Sequence, residues 1–132
     1  MVQVRILIVD DQPEFRAMLT VILQKSGFQV FAAADGEKAL RLVSEIAPDL
    51  ILLDVSMPGM DGIETARRIR QITSAPILFL SALGGPETVA KGQAAGGNGH
   101  LTKPFRPTEL LLRIQEELNA SGVRASQING LH

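Results

Sequence analysis

Apolar runs of strand length alternate five times with stretches whose apolar residues recur at helical spacing. Arg5-Ile6-Leu7-Ile8-Val9 opens the series and leads into a predicted helix from near Pro13 to Lys25, with Phe15, Met18, Leu19, Ile22 and Leu23 in phase. Gly27 supplies the left-handed residue that commonly ends a helix. A second strand, Gln29 to Ala33, precedes Asp35-Gly36 and a helix carrying Ala39, Leu40, Val43 and Ile46, which Pro48 stops. The third strand, Leu50 to Leu53, ends at Asp54. After the turn-rich segment 55–62 comes a helix with Ile63, Ala66, Ile69 and Ile72 on one face. Pro76 opens a fourth strand, Ile77 to Leu80, finishing at Ser81. A short helix from Pro86 to Ala95 has the weakest apolar face of the five, so it is expected to be the most mobile. His100-Leu101-Thr102 forms a brief fifth strand. The last helix runs from Pro107 to Asn119 with Leu110, Leu111, Ile114 and Leu118 inward. Such alternation implies right-handed crossovers and a parallel sheet covered on both faces. The predicted domain spans 1–120, and 121–132 reads as a polar tail or linker stub.

Composition narrows the function classes. The 132 residues suffice for one domain with a sizeable core, and 45% hydrophobic with 20% charged residues is ordinary for a globular fold. A net charge of −1 gives no global pull toward nucleic acid or membrane, and no convincing basic patch is visible. Cysteine is absent, which excludes disulfides, thiolate metal sites and cysteine nucleophiles. Tryptophan and tyrosine are absent too, which disfavours a base-stacking platform. No apolar stretch approaches the roughly 18 residues that span a bilayer. The first strand follows Met1 so closely that no signal peptide fits, and the default expectation is a cytoplasmic protein.

The candidate chemistry lies at the strand ends. Asp10 and Asp11 close the first run, Asp54 closes the third, and Lys103 follows the fifth before Pro104. Open α/β sheets bind ligands outside the carboxyl ends of their strands, so these four residues are expected at one edge. Gathered carboxylates resist ionising together unless a cation neutralises them. A hard divalent ion such as Mg²⁺, bound by few carboxylates with phosphate oxygens and water, is the expected partner. Asp11 or Gln12 before Pro13 also reads as the cap of the first helix, and both roles are compatible.

Four segments in register resemble the receiver domain of two-component response regulators. They are Ile8-Val9-Asp10-Asp11, Leu52 through Gly62, Leu80-Ser81-Ala82 and Leu101-Thr102-Lys103-Pro104-Phe105. The likeness runs from Val4 to Leu118. It implies a flavodoxin-like, doubly wound five-stranded parallel sheet of order 2-1-3-4-5 with five helices. It further implies that Asp54 is the phosphoacceptor, a carboxylate nucleophile giving an acyl phosphate. Mg²⁺ would be bound by Asp11, Asp54 and the backbone carbonyl of Ser56, with Asp10 acting through water or orienting Asp11. Lys103, after which the peptide bond to Pro104 is expected cis, would pair with a phosphoryl oxygen. Ser81 would donate its hydroxyl to another and pull the following loop with it. Ser56 and Leu83 flank the site and are the positions expected to set the lifetime of the phosphorylated state.

Two departures from that family stand out. The aromatic residue usual three positions before the lysine is His100, which reads either as a tolerated surface histidine or as a switch residue that titrates near neutrality. Asn98-Gly99 replaces an acidic pair that helps bridge dimers of transcription-factor receivers. Lys91, Glu109 and Arg113 remain as pieces of that network. The implied partners are a sensor histidine kinase or phosphotransfer protein and an output domain or effector, with dimerisation through the fourth helix, fifth strand and fifth helix left open. Neither direct nucleic-acid binding nor membrane association is expected. Turnover enzymology is not expected either, beyond self-catalysed phosphorylation and dephosphorylation. Two alternatives are a phosphorylation-independent interaction module and a metal-dependent aspartyl phosphohydrolase. The five retained polar groups argue against the first. Serine at position 56 and the absence of a cap-sized insertion argue against the second.

Overall fold

The computed structural model of the protein describes residues 3–55, 61–82 and 86–122. The elements are β1 (Arg5–Val9), α1 (Pro13–Lys25), β2 (Gln29–Ala33), α2 (Gly36–Ile46), β3 (Leu50–Asp54), α3 (Gly62–Arg70), β4 (Ile77–Ser81), α4 (Pro86–Ala94), β5 (Gly99–Thr102) and α5 (Pro107–Ala120). The strands form one parallel sheet in the order β2-β1-β3-β4-β5, as expected.

Burial on both faces explains why the strands read as nearly unbroken apolar runs. Strand side chains alternate between two cores. Ile6, Ile8, Leu50, Leu52, Leu78 and Leu80 meet Leu19 and Leu23 of α1 and Leu110, Ile114 and Leu118 of α5. Leu7, Val9, Ile51, Leu53, Ile77 and Phe79 point the other way, toward Ala39, Val43, Ala66, Ile69 and Ala95. A fixed register carries this alternation across the sheet, with Ile6 opposite Leu50 and Leu53 opposite Phe79.

Helix ends follow local chemistry. Gly27, at φ 94°, reverses the chain after α1. The Asp35 side chain accepts from Lys38 N at 2.8 Å and caps α2. Asp35→Ala is expected to cost about 1 kcal/mol. The check is urea unfolding, with the midpoint lowered and the slope unchanged.

Several expectations need correction. The third helix ends at Arg70, so Ile72 lies outside it and is exposed. The guanidinium of Arg70 donates to the carbonyls of Thr73 and Ala75 and pulls the chain into a turn that the apolar period does not register. Met18 is 45% exposed because it sits on the flank of the stripe formed by Phe15, Leu19, Ile22 and Leu23. β5 starts at Gly99 rather than His100, α4 stops at Ala94, and α5 continues to Ala120. The only buried residue of α4 is Gly92, whose missing Cβ leaves room for the Phe79 ring. Residues 123–132 of the expected tail lie outside the described residues.

Candidate functional site

Parallel pairing brings the strand ends to one edge. Asp10 N donates to Ala33 O, which carries the β1–β2 ladder one residue past Val9. Asp54, the last residue of β3, pairs with Leu80 of β4. Ser81 pairs with Thr102 of β5, and its carbonyl accepts from Lys103 N at 2.7 Å. Backbone hydrogen bonds therefore fix where Asp10, Asp54, Ser81 and Lys103 emerge.

The side chains converge as expected. Asp10, Asp11 and Asp54 can each offer an oxygen within 4.8 Å of the others. Asp10 is 1% exposed and Asp54 6%. Lys103 Nζ lies 3.3 Å from Asp10 Oδ2 and 3.7 Å from Asp54 Oδ2. One ammonium is thus shared by two buried carboxylates, while Asp11 stands nearer to solvent. Three clustered carboxylates facing one lysine leave a net negative site, and an all-oxygen donor set suits a hard divalent cation such as Mg²⁺. The residues present fit that ion.

Local hydrogen bonds hold the acids. The remaining Asp10 oxygen accepts from Gln12 N at 2.8 Å, so both oxygens of Asp10 are engaged. Gln12, not Asp11, is the cap residue of α1, and its side chain makes no cap bond. Ser81 is buried, paired with Thr102 in the β4–β5 ladder and one residue past Leu80, the strand partner of Asp54. The Lys103–Pro104 bond is cis. Ser56 and Leu83 lie outside the described residues.

Three contributors were not singled out from the sequence. Arg16 NH1 donates to the Asp10 carbonyl at 2.7 Å and braces the end of β1. Gly62 packs directly on the Asp54 carbonyl. Phe15 lies under the lysine, its ring centroid 4.0 Å from Lys103 Nζ. A glycine or an aromatic in these patterns reads as a turn or a core residue, and only the topology reveals the neighbour.

His100 stands apart from the acids, on the face covered by α4. It lines a cavity of about 30 Å³ with Phe79, Val89, Gln93, Gly97 and Gly99. Its Nε2 is buried without a hydrogen-bond partner among the described residues, although the residue as a whole is only half-buried. Burial, and then the Arg113 guanidinium, hold its pKa below the usual imidazole range, so titration near neutrality is not favoured. The neutral form is the one the fold accepts. Stability is therefore full above the unfolded value of about 6.5 and falls as the pH drops below it, because the unfolded chain binds more protons. His100→Phe is expected to flatten that fall, measured as the difference in unfolding free energy between the two proteins from pH 7.5 to 5.5.

The pieces of an inter-subunit ion network are engaged within the chain. Lys91 pairs with Glu87 at 3.3 Å, and Glu109 accepts from Arg106 N at 3.2 Å. Arg113 reaches Glu117 at 3.8 Å and donates to the His100 carbonyl. Asn98 Oδ1 accepts from Arg70 and from Ile77 N. Among the described residues, no helix is long and apolar enough to cross a membrane.

Comparison with known proteins agrees with this geometry. The family described as "Response regulator receiver domain" matches residues 6–115. The DNA-binding response regulator MtrA of Mycolicibacterium smegmatis is 41% identical over 114 residues, which are 86% of this chain and 50% of that protein. The transcriptional regulatory protein ResD of Bacillus subtilis is 38% identical over 95% of this chain and 50% of its own length. The chain thus spans about half the length of these relatives. Among solved structures, the Vibrio cholerae chemotaxis protein CheY4 superposes with a TM-score of 0.85 at 37% identity, covering 87% of this chain and 98% of that one.

Proposed function

The chain belongs to the response regulator receiver domain family, and on that premise we propose that Asp54 accepts a phosphoryl group from a histidine kinase or phosphotransfer protein in a Mg²⁺-dependent reaction. An Asp54 oxygen attacks phosphorus, the bond from phosphorus to the donor's nitrogen or oxygen breaks, and the leaving group departs with that electron pair. Asp11 and Asp54 would hold the cation, joined on the family's pattern by the backbone carbonyl of Ser56, and Asp10 would support them. When bound, Mg²⁺ neutralises charge on the transferring group. Lys103 exchanges its carboxylate contacts for a phosphoryl oxygen, and the Ser81 hydroxyl donates to another. That movement shifts the loop after β4 and biases the α4–β5 face, with His100, between two states.

One observation carries this reading: a single lysine bridges two buried aspartates at the edge where three carboxylates gather. Family membership supports the partners: a kinase upstream and, downstream, an output domain or separate effector, in the cytoplasm where a kinase would meet the domain. A homodimer through α4, β5 and α5 would rest on apolar contact, since Lys91, Glu109 and Arg113 are already engaged and Leu112 is exposed on α5. Acetyl phosphate with Mg²⁺, followed by intact mass, tests the reading. One phosphoryl adduct that disappears with a chelator is expected. Turnover of many phosphoesters without an adduct would indicate a phosphohydrolase, and neither outcome would indicate an interaction module.

A further inference from the structure

We propose that Phe15 is a positioning residue for Lys103, forming an uncharged seat that holds the ammonium within reach of the phosphoryl group. The inference rests on the reading of Asp54 as phosphoacceptor. Its basis is the ring centroid 4.0 Å from Nζ, in a side chain that is 19% exposed and also touches Asp10 and Asp54.

The placement follows from the start of α1. Asp10 and Asp11 follow β1, Pro13 begins the helix, and Phe15 is its third residue, so the first turn carries the ring back to the carboxyl edge. The ring is braced by Phe105, at 6.0 Å between centroids and 73° between planes. Phe105 lies in the loop that bears Lys103 and packs with Phe15 against the α1–α5 core. Lys103, Phe15 and Phe105 therefore close a triangle between the first turn of α1 and the β5–α5 loop.

An aromatic face attracts an ammonium, and more strongly where water is partly excluded. It differs from a carboxylate in carrying no formal charge. When a phosphoryl group arrives, Asp10 competes with it for the lysine, whereas the ring does not. The ring also restrains a side chain with four flexible carbons, lowering the ordering entropy that each new contact costs. Leucine at position 15 would preserve burial but leave the ammonium to settle on Asp10 or in water.

The test compares Phe15→Leu, Phe15→Tyr and Phe15→Trp. In the phosphate-free protein, ring current should move the Lys103 Cε proton signals upfield, identified by their loss in Lys103→Arg. Phe15→Leu should return them to ordinary lysine positions, and Phe15→Trp should keep them shifted. The initial rate of adduct formation from acetyl phosphate should fall on the order of threefold to thirtyfold in Phe15→Leu and recover in Phe15→Trp and Phe15→Tyr. Leucine and tryptophan variants slowed equally would mark a packing role and overturn the proposal, as would unshifted lysine signals in the wild type. The NMR readout needs no phosphorylation, so it separates the two ideas. A wild type that takes no phosphoryl group would overturn the functional reading, while the lysine shift and its loss in Phe15→Leu would still decide whether the ring seats the ammonium.

Discussion

Asp54→Asn is expected to take no phosphoryl group from acetyl phosphate under conditions that convert the wild type to a single adduct. A carboxamide is isosteric with the carboxylate and keeps its place opposite Leu80, but its oxygen is too weak a nucleophile to form the acyl phosphate. The same change removes one of three carboxylates lying within 4.8 Å of one another, while Lys103 gives up its 3.7 Å contact with Asp54 but keeps the shorter one, 3.3 Å, with Asp10. In Mg²⁺-free buffer the variant is therefore expected to be more stable than wild type by on the order of 1 kcal/mol. The wild-type melting temperature should climb with the logarithm of Mg²⁺ concentration, as for any ligand that binds only the folded state. The variant should respond far less. Thermal melts across a Mg²⁺ series check both points, and a variant less stable than wild type without metal would contradict the repulsion argument.

Gly62→Ala carries the largest expected cost in stability. A Cβ there would overlap the Asp54 carbonyl oxygen and stand 2.7 Å from Val55 Cα and 2.9 Å from the Asp54 carbonyl carbon. All three are backbone atoms, so no side chain can swing aside. The first turn of α3 and the end of β3 must separate, and the Gly62 N bond to Val55 O at 3.0 Å weakens with them. Overpacking against fixed backbone is expected to cost about 3 kcal/mol or more. For a domain of this size that corresponds to a melting temperature lower by roughly 10 °C. Because the displaced group is the backbone of Asp54, adduct formation should slow even in the fraction that remains folded. Calorimetry and the initial adduct rate at low temperature would separate the two effects.

The fold was legible where one physical rule dominated. Runs such as Ile51-Leu52-Leu53 are buried on both faces of a parallel sheet, so hydrophobicity alone marks them, and the acids at their ends stand out by contrast. Asp10, Asp11, Asp54 and Lys103 could be brought to one edge because parallel strands share a carboxyl end. Legibility failed where a neighbour from a distant element decided the outcome. The turn after α3 depends on Arg70 reaching Thr73 and Ala75, and on its further bond to Gly96 of the α4–β5 loop. In the segment 96–99, a Cβ on Gly97 would strike Phe79, and one on Gly99 would meet Arg113 and Glu117. Those absent side chains let the loop close over β4 and α5, which is how His100 comes to line a cavity. Phe15 belongs to the same class. Its spacing is that of a core residue, and only the adjacency of α1 to the β5–α5 loop puts its ring against the Lys103 ammonium.

The central claim is that one carboxylate of the cluster, Asp54, takes the phosphoryl group. Reduction by borohydride after incubation with acetyl phosphate and Mg²⁺ converts an aspartyl phosphate to homoserine, which peptide mass mapping can locate. The expected result is homoserine at position 54, dependent on both Mg²⁺ and donor. Homoserine at position 10 or 11, or a phosphoryl group retained on Ser81 with position 54 unmodified, would contradict the assignment.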